Sequence, residues 1–209
     1  GMGLWDSSPV LTNITITNNS ANHCGGGIDI YQSNPITQDI TVSGNIAQWG
    51  GGIQLWNCAS TILSNIYLTN NEAREGGGLA SYNKLDSPSF DYFEFELNNV
   101  IITNNIAEQG AGIELSNSRS TLNNVTISFN YAKDDGGGIS IESSTAYLNN
   151  VDIVQNIADN DGGGIFIGSH NNSNFPLAST FTNVIISENV ANNIGRGGGI
   201  YFDHDTELS

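Results

Sequence analysis

The sequence predicts an all-β chain wound as a single-stranded right-handed parallel β-helix, a β-solenoid of about seven rungs of 25–26 residues. Three observations predict it. A glycine triplet recurs at near-constant spacing, two apolar-x-apolar triplets occur in every period, and an asparagine and an alanine stand at fixed offsets between them. The glycine triplets begin at Gly25, Gly50, Gly76, Gly110 (here Gly-Ala-Gly), Gly136, Gly162 and Gly197, spaced by 25, 26, 34, 26, 26 and 35 residues. The two long spacings are each one period plus a loop.

Each period opens with the first apolar triplet: Ile14/Ile16, Ile40/Val42, Ile66/Leu68, Val100/Ile102, Val125/Ile127, Val151/Ile153 and Val184/Ile186. Strict alternation is the period of a strand, not of a helix. Strands this short have no independent stability, but stacked on their copies they form long parallel sheets, with about 4.8 Å between rungs. Asparagine follows at positions 19, 45, 71, 105, 130, 156 and 189. Asn tolerates unusual backbone angles at a corner, and its amide can bond to the same residue above and below. A second such row precedes the strand at Asn13, Asn65, Asn99, Asn124, Asn150 and Asn183, with Asp39 completing it. Alanine, two residues after the first Asn row, is small enough for the inside of the corner, and the glycines permit a tight turn. The second triplet is Ile28/Ile30, Ile53/Leu55, Leu79/Ser81, Ile113/Leu115, Ile139/Ile141, Ile165/Ile167 and Ile200/Phe202. A third apolar position, at Leu63, Leu97, Leu122, Leu148 and Phe181, precedes the next period. Each buried aliphatic contributes roughly 1.5–3 kcal/mol, so five per rung make a sufficient core. The right hand follows from the strong preference of parallel crossovers.

The 209 residues read as a single β-helix domain, 1–209, since a solenoid grows by rungs. The last rung ends near Phe202, and bare end rungs need covering, so a segment of a longer protein is expected, with residues 1–9 and Trp5 as an N-terminal cap. Twenty-one acidic residues against five basic ones give a net charge of −16, which excludes a nucleic-acid backbone or an anionic membrane as partner. No apolar run is long enough to insert into a membrane. Cys24 and Cys58 occupy different corners and are expected to be two free thiols.

Ile127-Ser128-Phe129-Asn130 followed by Gly137-Gly138-Ile139 resembles the Phe-x-x-Asn and Gly-Gly-Ala-Ile repeats of the polymorphic outer-membrane proteins, with an aliphatic in place of Phe and Gly in place of Ala. The likeness covers nearly the whole chain and extends to the wider pectin-lyase-like β-helix group. It implies a secreted or cell-surface passenger with an adhesive role, and it carries no catalytic residue across.

Loop insertions are expected at 81–96 and 168–180, the first rich in aromatic residues, including Phe95. Both follow the second strand and leave the same edge, where a rigid scaffold commonly builds a site. Tyr31, Trp56 and Tyr82 take the same outward position in three successive rungs, beside Asp29, and form a candidate platform for a polysaccharide or host-surface glycan. The same file also reads as aromatics that merely stack on one another. Asp134, Asp135, Asp159 and Asp161 gather before the glycines and are candidate Ca²⁺ ligands, or simply a solvated acidic corner.

Catalysis is the rival reading. A glycoside hydrolase needs two carboxylates at a set separation, and a polysaccharide lyase needs a base, for which Arg119 with Glu114 in the adjoining strand is the best candidate. The first strand points Thr15, Thr41, Tyr67, Ile101, Thr126, Asp152 and Ile185 outward, a face without a catalytic cleft. A non-catalytic role is therefore expected.

Overall fold

The computed structural model describes residues 1–58, 60–83, 94–168 and 178–203. Described residues form no helix; the strands wind into a right-handed parallel β-helix with three stacked parallel sheets. The long sheet has eight strands: Met2–Trp5, Ile28–Tyr31, Ile53–Trp56, Leu79–Tyr82, Ile113–Ser116, Ile139–Glu142, Ile165–Gly168 and Ile200–Phe202. The kinked sheet has seven, from Val10–Thr17 through Arg119–Ser128 to Thr180–Ser187. A short sheet of two-residue strands, Ile106–Ala107, Tyr131–Ala132, Ile157–Ala158 and Val190–Ala191, lies at the Asn–Ala corner.

Register is what the repeat dictates, with like residues on like residues: Ile113 pairs with Ile139, and Ile139 with Ile165. The inward files are closed to solvent, and one core runs from Leu4 to Ile167. Leu63, Leu97, Leu122 and Leu148 belong to that core, but they do not form a strand of their own. They lie in the same strands as the first triplet, as in Arg119–Ser128, because the chain passes through a single left-handed residue and continues. That residue is the second asparagine row with Asp39, all at φ of 53–55°. Asn reaches this region at less strain than most side chains.

The first Asn row forms the polar spine. Asn130 Nδ2 donates to Asn156 Oδ1 at 2.9 Å and to Ile102 O at 3.1 Å, while Asn130 Oδ1 accepts from the Asn105 amide N–H and side chain. The pattern repeats from Asn19 to Asn189, so these buried amides are satisfied by the rungs beside them. The first glycine of every triplet sits at φ of 57–68°. In the rungs before the last, the third admits no side chain for another reason: a Cβ on Gly138 would stand 2.5 Å from Gly164 O in the next rung.

Two expectations change. Met2–Trp5 is not a cap but an eighth strand, pairing in parallel with Ile28–Tyr31. The inserted segments are shorter than 81–96 and 168–180, since Tyr82, Gly168 and Thr180 lie in strands and Phe95 is buried in the core. The remaining inserted residues, 84–93 and 169–177, lie outside the described residues. Cys24 and Cys58 are free.

Candidate ligand-binding site

Alternation in the long sheet sends Ile28 and Ile30 inward and Asp29 and Tyr31 outward, and the register carries each outward position along the molecular axis. One file runs Asp29, Gln54, Ala80, Glu114, Ser140, Phe166 and Tyr201. The next runs Trp5, Tyr31, Trp56, Tyr82, Ser116 and Glu142. A third file comes from the corner before each glycine triplet: Cys24, Trp49, Glu75 and Gln109, then Asp135, Asp161 and Arg196. The three files make the floor and two borders of a trough along the sheet.

The middle of the floor is outward yet buried. Gln54, Ala80 and Ser140 are 0% exposed and Glu114 is 2% exposed. Three side-chain atoms of this file, Gln54 Oε1, Glu114 Oε2 and Ser140 Oγ, have no hydrogen-bond partner. Buried polar atoms are nearly always paired, so three orphans in one file mark a place where a partner is missing.

The N-terminal half of the trough is aromatic. Trp5 and Tyr31 lie 5.4 Å apart between ring centroids at 40°, and Trp56 and Tyr82 lie 6.3 Å apart at 34°. Trp49 is fixed by its indole N–H, which donates to Glu75 Oε2 at 3.2 Å, and by an edge contact with His23 at 4.6 Å. His23, Trp49, Gln54, Trp56 and Tyr82 enclose a mainly apolar cavity of about 120 Å³. Burial raises the Asp29 carboxyl above its usual value, opposed by a hydrogen bond from the Trp5 side chain and by His23.

The central part is acidic. Burial, with the Glu142 and Glu75 charges, holds Glu114 well above the ordinary carboxylate range. Ser140 lies close enough to oppose the rise, but makes no well-formed bond to Glu114 Oε2. Asp135 is pushed up to about 6 by burial, with Asp134, Asp161 and Glu142 adding to the effect and the Asp161 backbone amide opposing it. Tyr82 is pushed up to about 12, first by burial and then by Glu75. At the far end the Arg196 guanidinium covers the Tyr201 ring at 4.3 Å.

A family model described as the right-handed β-helix region matches residues 4–181. The chain belongs to the right-handed β-helix family. The match supports the wider resemblance, to the pectin-lyase-like group. No curated protein and no solved structure gives a significant match to the chain.

Within this right-handed β-helix, Tyr31, Trp56 and Tyr82 stand in register as expected, and Trp5 extends their file by one rung. The acidic corner does not hold together as a ligand set. Asp135 Oδ1 accepts the Asp161 backbone N–H at 2.8 Å, and Asp161 is bonded by the Arg196 backbone N–H at 2.6 Å and by its Nη2 at 2.7 Å. Asp159 accepts from the Tyr131 hydroxyl at 2.6 Å and from Asn192 at 3.1 Å, and Asp134 accepts from Asn160. Among the described residues no group of three His, Cys, Asp or Glu side chains is placed to hold a metal ion. Neighbouring rungs use these oxygens as intramolecular acceptors instead. Arg119 pairs not with Glu114 but with Glu94, at 2.9 Å. Trp49, Gln54, Ser140 and Glu142 were not singled out by sequence, and Glu114 only as a neighbour of Arg119. For Gln54, Ser140 and Glu142 the signal was the outward slots of the second strand, and for Trp49 the position just before the glycine triplet.

Proposed function

We propose that this β-helix is a non-catalytic glycan-binding segment of a secreted or cell-surface protein, and that the glycan lies along the outward face of the long sheet. The observation that carries this reading is the in-register aromatic file Trp5–Tyr31–Trp56–Tyr82 beside a floor of buried polar atoms without partners. Aromatic faces receive the apolar side of a sugar ring. Display at a surface and an adhesive role draw support from the repeat's likeness to the polymorphic outer-membrane proteins. The net charge of −16 and the acidic trough favour a neutral or cationic glycan over an acidic one, whose charges they would repel.

One observation favours a second reading, a glycoside hydrolase. Burial raises Glu114 well above the ordinary carboxylate range, and Glu142 lies one rung further on, an arrangement that suits a general acid and a second carboxylate. A lyase mechanism based on Arg119 is less well supported, because that guanidinium is engaged by Glu94.

A glycan array run alongside a depolymerisation assay separates the two. Binding without release of new reducing ends is expected. Trp56→Ala should weaken binding about tenfold while leaving the melting temperature near that of the parent, since Trp56 stands on the outer face and its loss opens no core cavity. Release of reducing ends that disappears in Glu114→Gln would replace this reading with the hydrolase.

A further inference from the structure

The cavity of about 120 Å³ over Gln54 is walled by rings from both borders of the trough. His23 and Trp49 stand on the corner side, Trp56 and Tyr82 on the strand side. Trp49, Trp56 and Tyr82 are half-buried and His23 is exposed, so the walls present surface that a ligand can reach. Gln54 closes the floor and is 0% exposed, so it contributes shape rather than hydrogen bonds. Polar handles of the walls are committed within the protein. The Trp49 indole N–H donates to Glu75 Oε2 at 3.2 Å, the Tyr82 hydroxyl is bonded with Ser116, and His23 Nδ1 lies 3.1 Å from Cys24 Sγ. A guest that needs several hydrogen bonds, such as a primary ammonium, is poorly served there.

The surroundings are negative. Glu75 lies against Trp49 and its charge reaches the Tyr82 ring, while Asp29 faces His23. Arg74 stands 3.8 Å from Glu75 but nearer, at 3.2 Å, to Glu108, and no Lys or Arg among the described residues lines the cavity. Ring faces attract a cation within about 6 Å of their centres, Trp most strongly. A quaternary ammonium spreads its charge over methyl groups and donates no hydrogen bond, so it fills an apolar space and still gains from the rings and the acids. An apolar cavity of about 150 Å³ holds a benzene-sized guest. The space over Gln54 therefore has room for a trimethylammonium head and not for a whole pyranose.

We propose that this cavity is a seat for a quaternary ammonium cation of the choline type, a trimethylammonium head on a short chain without negative charge. A phosphate or carboxylate on that chain would face the same acids that favour the head. The seat goes beyond the glycan-binding reading and does not depend on it, although the two share Trp56 and Tyr82.

The test titrates the full chain at constant ionic strength and mildly alkaline pH, where histidine is uncharged, and follows indole fluorescence. Choline should bind saturably, and about tenfold tighter than dimethylbutanol, its neutral isostere with carbon in place of nitrogen. Ethanolamine, a primary ammonium, and phosphocholine should both bind more weakly than choline. Trp49→Ala should lower choline affinity about tenfold and Trp49→Phe by less, since Trp is the strongest cation-binding ring. Glu75→Gln should narrow the margin over the neutral isostere. Ile101→Thr, on the kinked sheet, should leave choline affinity unchanged. Equal binding of choline and dimethylbutanol would mean an apolar pocket only, and ethanolamine as tight as choline a seat for any cation; either overturns the proposal, as does tighter binding of phosphocholine. Array glycans bound without any saturable binding of choline overturn the seat and leave the glycan reading standing. Choline bound where no glycan binds upholds the seat and removes that reading. Should Trp49→Ala fail to fold, Trp49→Phe and the ranking of the ligands on the parent protein decide.

Discussion

The long sheet and the kinked sheet have the same interior and opposite exteriors. Inside, both present aliphatic ladders closed to solvent: Ile113, Ile139 and Ile165 in one, Val125, Val151 and Ile153 in the other, all 0–1% exposed. Outside, the kinked sheet shows Tyr67, Ile101 and Ile185 at 39–56% exposure, whereas the long sheet keeps Gln54, Glu114 and Ser140 at 0–2%. Equal burial of the inward files makes both sheets stabilising. Unequal burial of the outward files distinguishes the two faces, because in the long sheet the outward polar side chains of Gln54, Glu114 and Ser140 have lost water.

The largest expected effect tests the shared interior. Ile139→Ala in the long sheet and Ile127→Ala in the kinked sheet should each destabilise the protein by about 2–5 kcal/mol in urea unfolding, as for other large-to-small core changes. If one proved nearly neutral, the interiors would not be equivalent. A smaller effect belongs to the trough alone. Glu114 and Asp135 have folded values above their ordinary ones, so the native state holds protons that the unfolded chain releases. Their contribution is full below the ordinary values of 3.8 and 4.5 and falls as pH rises, through about 6 for Asp135. Asp159 is held low by the Tyr131 hydroxyl, and Asp161 by Arg196 against the opposing effect of burial, so their contribution is lost instead as pH falls below 3.8. Melting followed across this range should show the decline towards neutral pH. Glu114→Gln should flatten it, giving a protein about 1–3 kcal/mol more stable than the parent at neutral pH and no different at acid pH. The smallest effect is on the exposed face: Ile101→Thr should change stability by no more than about 0.5 kcal/mol by the same measurement.

Much of the fold was legible because the repeat fixes both direction and height. Once Ile28 and Ile30 point inward, Tyr31, Trp56 and Tyr82 must share a file, and they do. Trp5 escaped because no glycine triplet precedes it to set its register. The aspartates were placed at the right corner but not with their partners. Asp135 and Asp161 do share a file, but donors of the adjoining rungs take up the oxygens of all four aspartates, and the spacing carries no record of those partners. Glu114 was visible as an outward carboxylate, but the burial of an outward position depends on what lies over the sheet, and periodicity carries no record of that.

The asparagine rows have one more consequence. In the buried row each amide donates to the rung after it, from Asn19 to Asn189, and the strand carbonyls bonded by the same nitrogens forbid a flip. In the outer row the sense is reversed, each amide donating to the rung before it, as from Asn183 to Asn150 and from Asn99 to Asn65. A shorter third column, from Asn149 to Asn123 to Asn98, shares the sense of the outer row, so the columns of aligned amide dipoles run in both directions along the axis. The inner column has one sense throughout, from the Asn19 rung to the Asn189 rung, so any rung stacked on it must present an acceptor on one side and a donor on the other.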